Sequence, residues 1–245
     1  MKIIAWNCRG LDNRSAVRGL LELQKSEGAD ILFLSETKLD RHMMERFHWM
    51  LGLPNMIVRE GEGQGGGFAV FWRRGIDVSL RNTARYYINV DVREDNGFEW
   101  RFTGVYGESQ GDLKYRTWEH LRGLHLQPAK PWLCAGDFNE ILFSHEKEGG
   151  RPRSQGCMDR FREAMEHCQL HDLWCEGDIF TWRNHSHVAA DYIRERLDRA
   201  IANDLWMMRF PGYRVINGDP RHSDHRPVVL SLKLLGWERR NAEKW

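Results

Sequence analysis

The sequence contains no apolar stretch that approaches the roughly 20 residues needed to cross a bilayer. Its first residues, MKIIAWNCRG, hold only a short apolar run before Asn7. That run is shorter than the apolar region of a secretory signal, which is about 7–15 residues long. We therefore expect an intracellular protein without a membrane segment.

Cysteine is scarce and shows no paired pattern. The chain has 5 cysteines among 245 residues, with no CxxC pair. An odd count without such pairs argues against a disulfide framework and against a zinc knuckle, and it favours a reducing location. The 11 histidines include no HExxH or related spacing, so zinc is not the expected metal.

Net charge is also nearly absent. The 36 basic residues are balanced by 35 acidic residues, which leaves a formal charge of +1. Proteins that bind nucleic acid on their own usually have a basic surface. A neutral chain can still bind DNA through a local patch, but we expect that binding to be weak and sensitive to salt.

What the chain does contain is many short apolar runs, typical of strands, between a few segments with helical spacing. The predicted helices cover residues 15–28, 112–125, 157–168 and 204–209. This order of elements predicts an α+β fold, a four-layer α/β/β/α sandwich of two mixed β-sheets with outer helices. No repeat or linker divides the chain, so we predict one domain over residues 1–235 and a polar tail over 236–245.

Polar residues stand at the ends of the apolar runs. They are Asn7, Glu36, Tyr106, Asp137, Asn139, Asp198, Asp224 and His225. Polar groups at strand ends can converge on one rim of a rigid sheet, where loops carry chemistry. Carboxylates, carboxamides, a phenol and a histidine suit one hard divalent cation and one phosphodiester. The pattern predicts a metal-dependent phosphoesterase.

Two motifs carry most of this chemistry. In GDFNE, Asp137 can orient and deprotonate a water while Asn139 holds a phosphate oxygen, although a strand-end turn would produce the same pattern. In HSDHRP, a protonated His225 can hydrogen-bond a phosphoryl oxygen, and Asp198 is the candidate to hold its tautomer. A purely structural histidine is the alternative interpretation.

The metal candidates are the carboxylates of Glu36 and Asp224, because Mg²⁺ typically takes one or two carboxylates together with waters and substrate phosphate. The alternative interpretation of Glu36 is a surface residue that caps the next turn. Asn7 is either close to the metal, a phosphate ligand or an ordinary turn asparagine. Tyr106 is either near the phosphate or a packing residue.

The segments that hold these residues resemble the endonuclease/exonuclease/phosphatase superfamily, which has the DNase-I-like fold. They are WNCRGL, LSETKL, GVYGE, GDFNEIL, FTW, RLDRA and SDHRPVVL. In particular they resemble the endonuclease domain of plant LINE-type (non-LTR) retrotransposons, over nearly the whole chain. In that family the domain precedes a reverse transcriptase and nicks target DNA to leave a priming 3′-hydroxyl.

The resemblance implies an Mg²⁺-dependent DNA endonuclease of low sequence specificity, with Mn²⁺ as the alternative ion. It implies that Asp137 positions or deprotonates the attacking water and that Asn139 helps to hold the phosphate. His225, supported by Asp198, would contact the scissile phosphate, and Tyr106 would lie near the phosphate or the leaving oxygen. The products would carry a 5′-phosphate and a 3′-hydroxyl.

For the metal, the resemblance implies Glu36 as the main ligand, with Asn7 and Asp224 close by. Relatives that cleave abasic sites carry an aspartate two residues after the asparagine of this motif, where the present chain has Arg9. They also have a tryptophan where this chain has Glu195, so specificity for abasic sites is not expected.

Substrate contacts are implied in the segment between FTW and RERLD, which would form a hairpin loop at the DNA groove. The predicted contacts are Arg183, Asn184, His185 and Arg194, together with Asn7. The implied partners are DNA and, in a longer parent protein, a reverse transcriptase domain. We expect a monomer, and a nuclear location if the substrate is chromosomal DNA.

Other functions are compatible with the same residues, because a fold and its metal site do not fix the substrate. A lipid-headgroup phosphatase, a sphingomyelinase or a poly(A)-shortening nuclease would use nearly the same groups. A decayed or domesticated copy could instead bind nucleic acid or a partner without turnover. The near-zero charge favours the phosphatases, whereas the retrotransposon-like segments favour DNA more strongly.

Overall fold

A computed structural model describes residues 1–61, 66–186 and 188–232. The tail predicted over 236–245 lies outside these residues. In chain order the strands are β1 (Lys2–Asn7), β2 (Ile31–Ser35), β3 (Asn55–Arg59), β4 (Phe68–Trp72), β5 (Asp77–Ala84), β6 (Tyr87–Arg93), β7 (Glu99–Tyr106), β8 (Trp132–Asp137), β9 (Lys147–Glu148), β10 (His171–Asp172), β11 (Trp182–Arg183), β12 (Arg194–Glu195), β13 (Asp198–Ala202), β14 (Arg214–Asn217) and β15 (Val228–Ser231). The helices are α1 (Arg14–Glu27), α2 (Arg41–Leu51), α3 (Tyr115–His125), α4 (Gln155–His167) and α5 (Asp204–Arg209).

The strands form two large mixed sheets. The first has the order β14-β15-β1-β2-β4-β3 and the second the order β10-β13-β8-β7-β6-β5. Each contains one parallel pair, β1 with β2 and β7 with β8, among antiparallel neighbours. A small three-stranded sheet, β11-β12-β9, lies beside them. The predicted sandwich of two mixed sheets is confirmed.

The central strands are apolar without interruption because both of their faces are covered. In β1, Ile3 and Ala5 belong to the core between the two sheets, whereas Ile4 and Trp6 belong to the core under α1 and α2. On the far side, α3 and α4 cover the second sheet, and Trp118 stacks on Phe161 with ring centroids 4.2 Å apart. The layers are therefore helix, sheet, sheet and helix.

Helix α2 was not predicted from the sequence. Asp40 caps its first turn by accepting a hydrogen bond from the backbone nitrogen of Met43, and Gly52 ends it in a left-handed conformation. Its buried side chains are Met44, Phe47 and Leu51. No helix in the described part of the chain is long and apolar enough to cross a membrane.

The two sheets approach closely beneath the rim that carries the polar residues. A Cβ added to Gly104 would lie 2.4 Å from the ring of Phe33, and one added to Gly136, at a φ of +141°, would lie 3.1 Å from the same ring. Glycine is required where backbone and side chain approach this closely. The ends of β7 and β8 are thereby held against the first sheet.

Candidate active site

The strand ends bring the predicted polar residues to one rim of the sandwich. From the first sheet, Asn7 is the last residue of β1, and Glu36 follows β2 directly. From the second sheet, Tyr106 and Asp137 end β7 and β8, which are parallel partners with Tyr106 opposite Asp137. Asp198 begins the antiparallel strand β13 and pairs with Asp137.

The remaining pair of residues precedes β15. This strand runs antiparallel to β1, with Val228 opposite Ala5, so its start lies beside the end of β1. Asp224 and His225 therefore reach the same rim. The hydroxyl of Ser223 fixes the loop, because it donates to the carbonyl oxygen of Asn7 at 2.8 Å and accepts from the backbone nitrogen of His225 at 3.1 Å.

His225 lies between two carboxylates. Its Nδ1 is 2.8 Å from Asp198 Oδ2, and its Nε2 is 3.7 Å from Asp137 Oδ2. All three side chains are almost completely buried. Asp198 is held in turn through its backbone nitrogen, which donates to the hydroxyl of Thr181 at 2.8 Å. The imidazole is thus oriented by Asp198 and points its other nitrogen at Asp137.

Burial and neighbouring charges together raise the pKa values of both His225 and Asp137. Burial alone would lower the pKa of His225, but the carboxylates of Asp198 and Asp137 outweigh it and raise that pKa to about 9. Burial raises the pKa of Asp137 to about 6, with Asp198 acting in the same direction and His225 opposing it. At neutral pH an imidazolium therefore faces a carboxylate.

Asn7 connects the two sheets. Its amide nitrogen donates to Glu36 Oε1 at 2.9 Å and to Asp137 Oδ2 at 3.0 Å, and it lies 3.4 Å from His225 Nε2. Its Oδ1 accepts from the backbone nitrogen of Arg9 at 3.1 Å. Asn7 therefore faces the site with its NH₂ group, an orientation that suits hydrogen-bond donation and not metal ligation.

Glu36 accepts hydrogen bonds from both sheets, from Asn7 of the first sheet and from Tyr106 of the second. The Tyr106 hydroxyl donates to Glu36 Oε1 at 3.0 Å. Burial, followed by the charges of Glu36 and Asp137, raises the pKa of this phenol, so it remains a donor. Glu36 has a φ of +53°, and a Cβ on Gly66 would lie 2.2 Å from its Cα. Gly66 therefore packs directly against the backbone of Glu36.

Asp224 is held by a residue that the sequence motifs did not single out. Trp182 Nε1 donates to Asp224 Oδ2 at 2.9 Å. The other oxygen, Oδ1, is buried and has no hydrogen-bond donor, although Arg9 Nε lies 3.0 Å away in an ion pair. Arg9 Nη1 is also 3.2 Å from Glu36 Oε1. The guanidinium of Arg9 thus joins both predicted metal carboxylates.

Asn139 is fixed in a left-handed conformation at a φ of +53°. Its backbone nitrogen donates to Asp137 Oδ1 at 2.8 Å, and its Nδ2 donates to the carbonyl oxygen of Gly107 at 2.7 Å. Its carbonyl oxygen accepts from Lys114, which is buried and pairs with Glu140 at 2.9 Å. Lys114 therefore supports the loop that follows β8.

Two of the predicted DNA contacts have partners within the protein, at the hairpin of residues 183–194. Asn184 closes the hairpin, donating to the carbonyl oxygen of Asp191 at 2.7 Å and accepting from the backbone nitrogen of Ile193 at 3.0 Å. Arg194 pairs with Glu148 at 2.7 Å and lies over the ring of Phe180. Both side chains hold the hairpin together, and their contact with DNA stays a prediction. Arg183 and His185 are exposed.

Four supporting residues were missed from the sequence: Lys114, Thr181, Trp182 and Ser223. Each of them holds another site residue in place, and no local sequence motif identifies such a role. The FTW segment offered the best signal, since its threonine and tryptophan stand beside the predicted hairpin. Tryptophan is common in this chain, with 11 copies, so its abundance obscured Trp182.

Two groups of side chains are suitable for a cation. Ligand atoms of Asp137, Asp198 and His225 all lie within 4.8 Å of one another, a possible Asp-Asp-His metal site within the described residues. A protonated imidazole has no lone pair to offer, so the raised pKa of His225 opposes metal binding there. Glu36 and the donor-free Oδ1 of Asp224 fit a hard cation better, because both supply carboxylate oxygen.

The chain resembles a known protein family over most of its length. Residues 4–225 match the model of the Endonuclease/Exonuclease/phosphatase family. No curated protein matches the chain significantly.

Several solved structures have the same fold. The endonuclease domain of TRAS1, a telomere-specific non-LTR retrotransposon, has a TM-score of 0.69 and 17% identity, over 96% of this chain and 99% of that one. An AP endonuclease from Archaeoglobus fulgidus has a TM-score of 0.72 and 17% identity, over 96% and 100%. A 3′ phosphatase from Neisseria, bound to product DNA hairpin, has a TM-score of 0.69 and 18% identity, over 95% and 99%.

Proposed function

Because the chain belongs to the endonuclease/exonuclease/phosphatase family, we propose that it is a divalent-metal-dependent phosphodiesterase that nicks DNA with low sequence specificity. The predicted DNase-I-like superfamily is confirmed; the plant LINE-type relationship stays a prediction. The observation that carries the proposal is the joined site itself. Asn7 links Glu36 to Asp137, and Asp137 faces a histidine that Asp198 orients.

Glu36 and Asp224 would hold the metal ion, which we propose to be Mg²⁺, with Mn²⁺ as the alternative. When bound, such an ion would neutralise charge on the phosphate oxygens and polarise the phosphorus centre for attack. Mg²⁺ commonly uses one or two carboxylates and completes its shell with waters and substrate phosphate. Two buried carboxylates are therefore enough.

The other side chains would act on the water and on the phosphate. Asp137 is ionised above pH 6 and would accept the proton of the attacking water. His225, held protonated by Asp198, would donate to a non-bridging phosphate oxygen as negative charge grows there. Asn7 would donate to the phosphate from between them, with Tyr106 and Asn139 at the border of the site. Attack in line would leave a 5′-phosphate and a 3′-hydroxyl.

DNA is the proposed substrate because the site lies beside the hairpin of residues 183–194. Arg183 and His185 are exposed on it and would contact the phosphate backbone. The retrotransposon endonuclease domain among the similar structures supports the same choice. A net charge of +1 implies weak binding that falls steeply with salt. Action on chromosomal DNA would require a nuclear location.

A 3′ phosphatase is the second candidate. A structure of similar fold is described as a 3′ phosphatase bound to product DNA hairpin, and a phosphomonoester would need the same metal carboxylates and the same His225–Asp198 pair. The near-neutral charge of the chain also suits a small end group better than a long duplex.

The test is nicking of supercoiled plasmid by the purified chain at low salt with Mg²⁺. We expect open-circle product, abolished by a chelator and by Asp137→Asn, and sealed by DNA ligase because the ends are 3′-hydroxyl and 5′-phosphate. Asp137→Asn removes the proton acceptor but keeps the size of the side chain. Release of phosphate from a 3′-phosphorylated oligonucleotide, without nicking, would replace the endonuclease proposal with the phosphatase.

The pH dependence of nicking should be bell-shaped. Asp137, with a pKa of about 6, cannot accept a proton once it is protonated, so the rate should fall as pH drops below about 6. His225, with a pKa of about 9, loses its positive charge above that value, so the rate should fall again on the alkaline side. Initial rates at fixed metal across this range check the prediction. A nicking rate that continues to rise above pH 9 would contradict the role of His225.

A further inference from the structure

Arg9 contacts both carboxylates to which the proposed function assigns the metal. Its Nη1 lies 3.2 Å from Glu36 Oε1 and 3.4 Å from Oε2, while its Nε lies 3.0 Å from Asp224 Oδ1. Among the described residues, Glu36 and Asp224 are the hydrogen-bond and ion-pair partners of the Arg9 side chain. One guanidinium therefore neutralises two acids at once.

The two sides of this contact differ in how firmly they are held. The side chains of Glu36 and Asp224 are each 7% exposed, whereas that of Arg9 is 47% exposed. Glu36 is fixed by hydrogen bonds from Asn7 and Tyr106, and Asp224 by one from Trp182. The carboxylates thus belong to the rigid rim, and Arg9 reaches them from the solvent side. About half of the Arg9 side chain already faces solvent.

The contact is also incomplete. Asp224 Oδ1 is buried without a hydrogen-bond donor even though Arg9 Nε is at ion-pair distance. A buried acceptor that lacks a donor costs free energy, and a better-placed cation would recover it. A divalent ion would also place twice the charge against the same two carboxylates.

Resting on the proposed function, we propose that Arg9 is an intramolecular competitor of the divalent cation. Its guanidinium balances Glu36 and Asp224 in the metal-free protein and must leave both before the metal can bind. The free energy of breaking two ion pairs is therefore subtracted from the metal affinity. Arg9 therefore weakens metal binding at this site. When metal is scarce, it balances the charge of the two carboxylates and keeps the protein folded.

Lys38 provides the matched control. It carries the same charge and a similar exposure, 45% for its side chain, and it lies 3.9 Å from Glu36 Oε2. It contacts one of the two carboxylates and Arg9 contacts both. General electrostatic repulsion would make both residues oppose metal binding equally, whereas direct competition for the ligand oxygens singles out Arg9.

The experiment is calorimetric titration of Mg²⁺ and Mn²⁺ into the wild-type chain, Arg9→Ala, Lys38→Ala and Glu36→Gln. We expect Arg9→Ala to bind at least about tenfold more tightly than wild type, which corresponds to about 1.4 kcal/mol. Lys38→Ala should change affinity by less than about threefold, as for a single exposed ion pair. Glu36→Gln should lose binding. Alanine and arginine both carry a Cβ, so the left-handed conformation at this position costs the same in each.

Thermal unfolding supplies a second readout that does not depend on activity. Without metal, Arg9→Ala should melt below wild type, because two buried carboxylates lose their counter-charge. Saturating Mg²⁺ should then raise its Tm by more than it raises that of wild type, since bound ligand stabilises in proportion to affinity.

Each other outcome overturns the proposal in a distinguishable way. Equal affinities of Arg9→Ala and wild type would reject competition by Arg9 while leaving the metal-dependent function intact. An equal gain in Lys38→Ala would replace competition with general repulsion. Absence of binding in both wild type and Arg9→Ala, with folded protein and excess metal, would reject both Arg9 competition and the metal site itself.

Discussion

Replacing His225 with alanine is expected to reduce the rate of plasmid nicking by at least about 100-fold while leaving the protein folded. The imidazole lies 2.8 Å from Asp198 and faces Asp137 across 3.7 Å, so it places a protonated donor next to the proposed proton acceptor. Its removal would leave the growing charge on the phosphate without that partner. Initial rates at saturating Mg²⁺ measure the loss, and circular dichroism confirms the fold.

Two further variants distinguish catalysis from packing. Asp198→Asn keeps the size of the side chain but removes the charge that sustains the raised pKa of His225, so the alkaline fall in rate should move to lower pH. His42→Ala removes a histidine whose side chain is 94% exposed, and its rate should equal that of wild type. Nicking by His225→Ala at the wild-type rate would refute the assignment of this histidine.

Replacing Glu146 with alanine is expected to lower the free energy of unfolding by about 3–5 kcal/mol. Glu146 is completely buried and accepts hydrogen bonds from Arg196 at 2.9 Å and from Arg199 at 2.8 Å. Burial by itself would raise its pKa, but the charge of Arg199 prevails and lowers it to about 2. Without this carboxylate, Asp172 alone would face two buried guanidinium groups.

Urea unfolding followed by tryptophan fluorescence measures that change. Glu148→Ala is the matched control, because it removes a glutamate two residues away whose side chain is 57% exposed and pairs with Arg194. Exposed ion pairs contribute about 0–1 kcal/mol. If the two variants unfold at the same urea concentration, the Glu146 network does not stabilise the fold as its burial implies.

The sequence was most informative where one rule applied to many places. Polar residues at the ends of apolar runs meet at one rim because parallel neighbours such as β1 and β2 end together, and β7 and β8 do the same. That reasoning located Asn7, Glu36 and Asp137 without reference to long-range contacts.

Other features depend on contacts between distant residues. The ion pairs of Arg9 with Glu36 and Asp224 join segments more than 25 positions apart, and no local pattern specifies them. The amide of Asn184 closes the hairpin by donating to Asp191, a contact that no local pattern predicts, and its contact with DNA stays a prediction. Helix α2 was missed although Met44, Phe47 and Leu51 are spaced for one face, because charged and polar residues surround them.

The placement of β15 has a consequence for truncated forms of the chain. This strand lies between β14 and β1 in the interior of the first sheet, and the loop just before it carries Asp224 and His225. A premature stop codon or frameshift almost anywhere upstream would therefore delete two site residues and expose an edge of β1. Even a late nonsense mutation would therefore remove part of the proposed site together with the strand that joins β14 to β1.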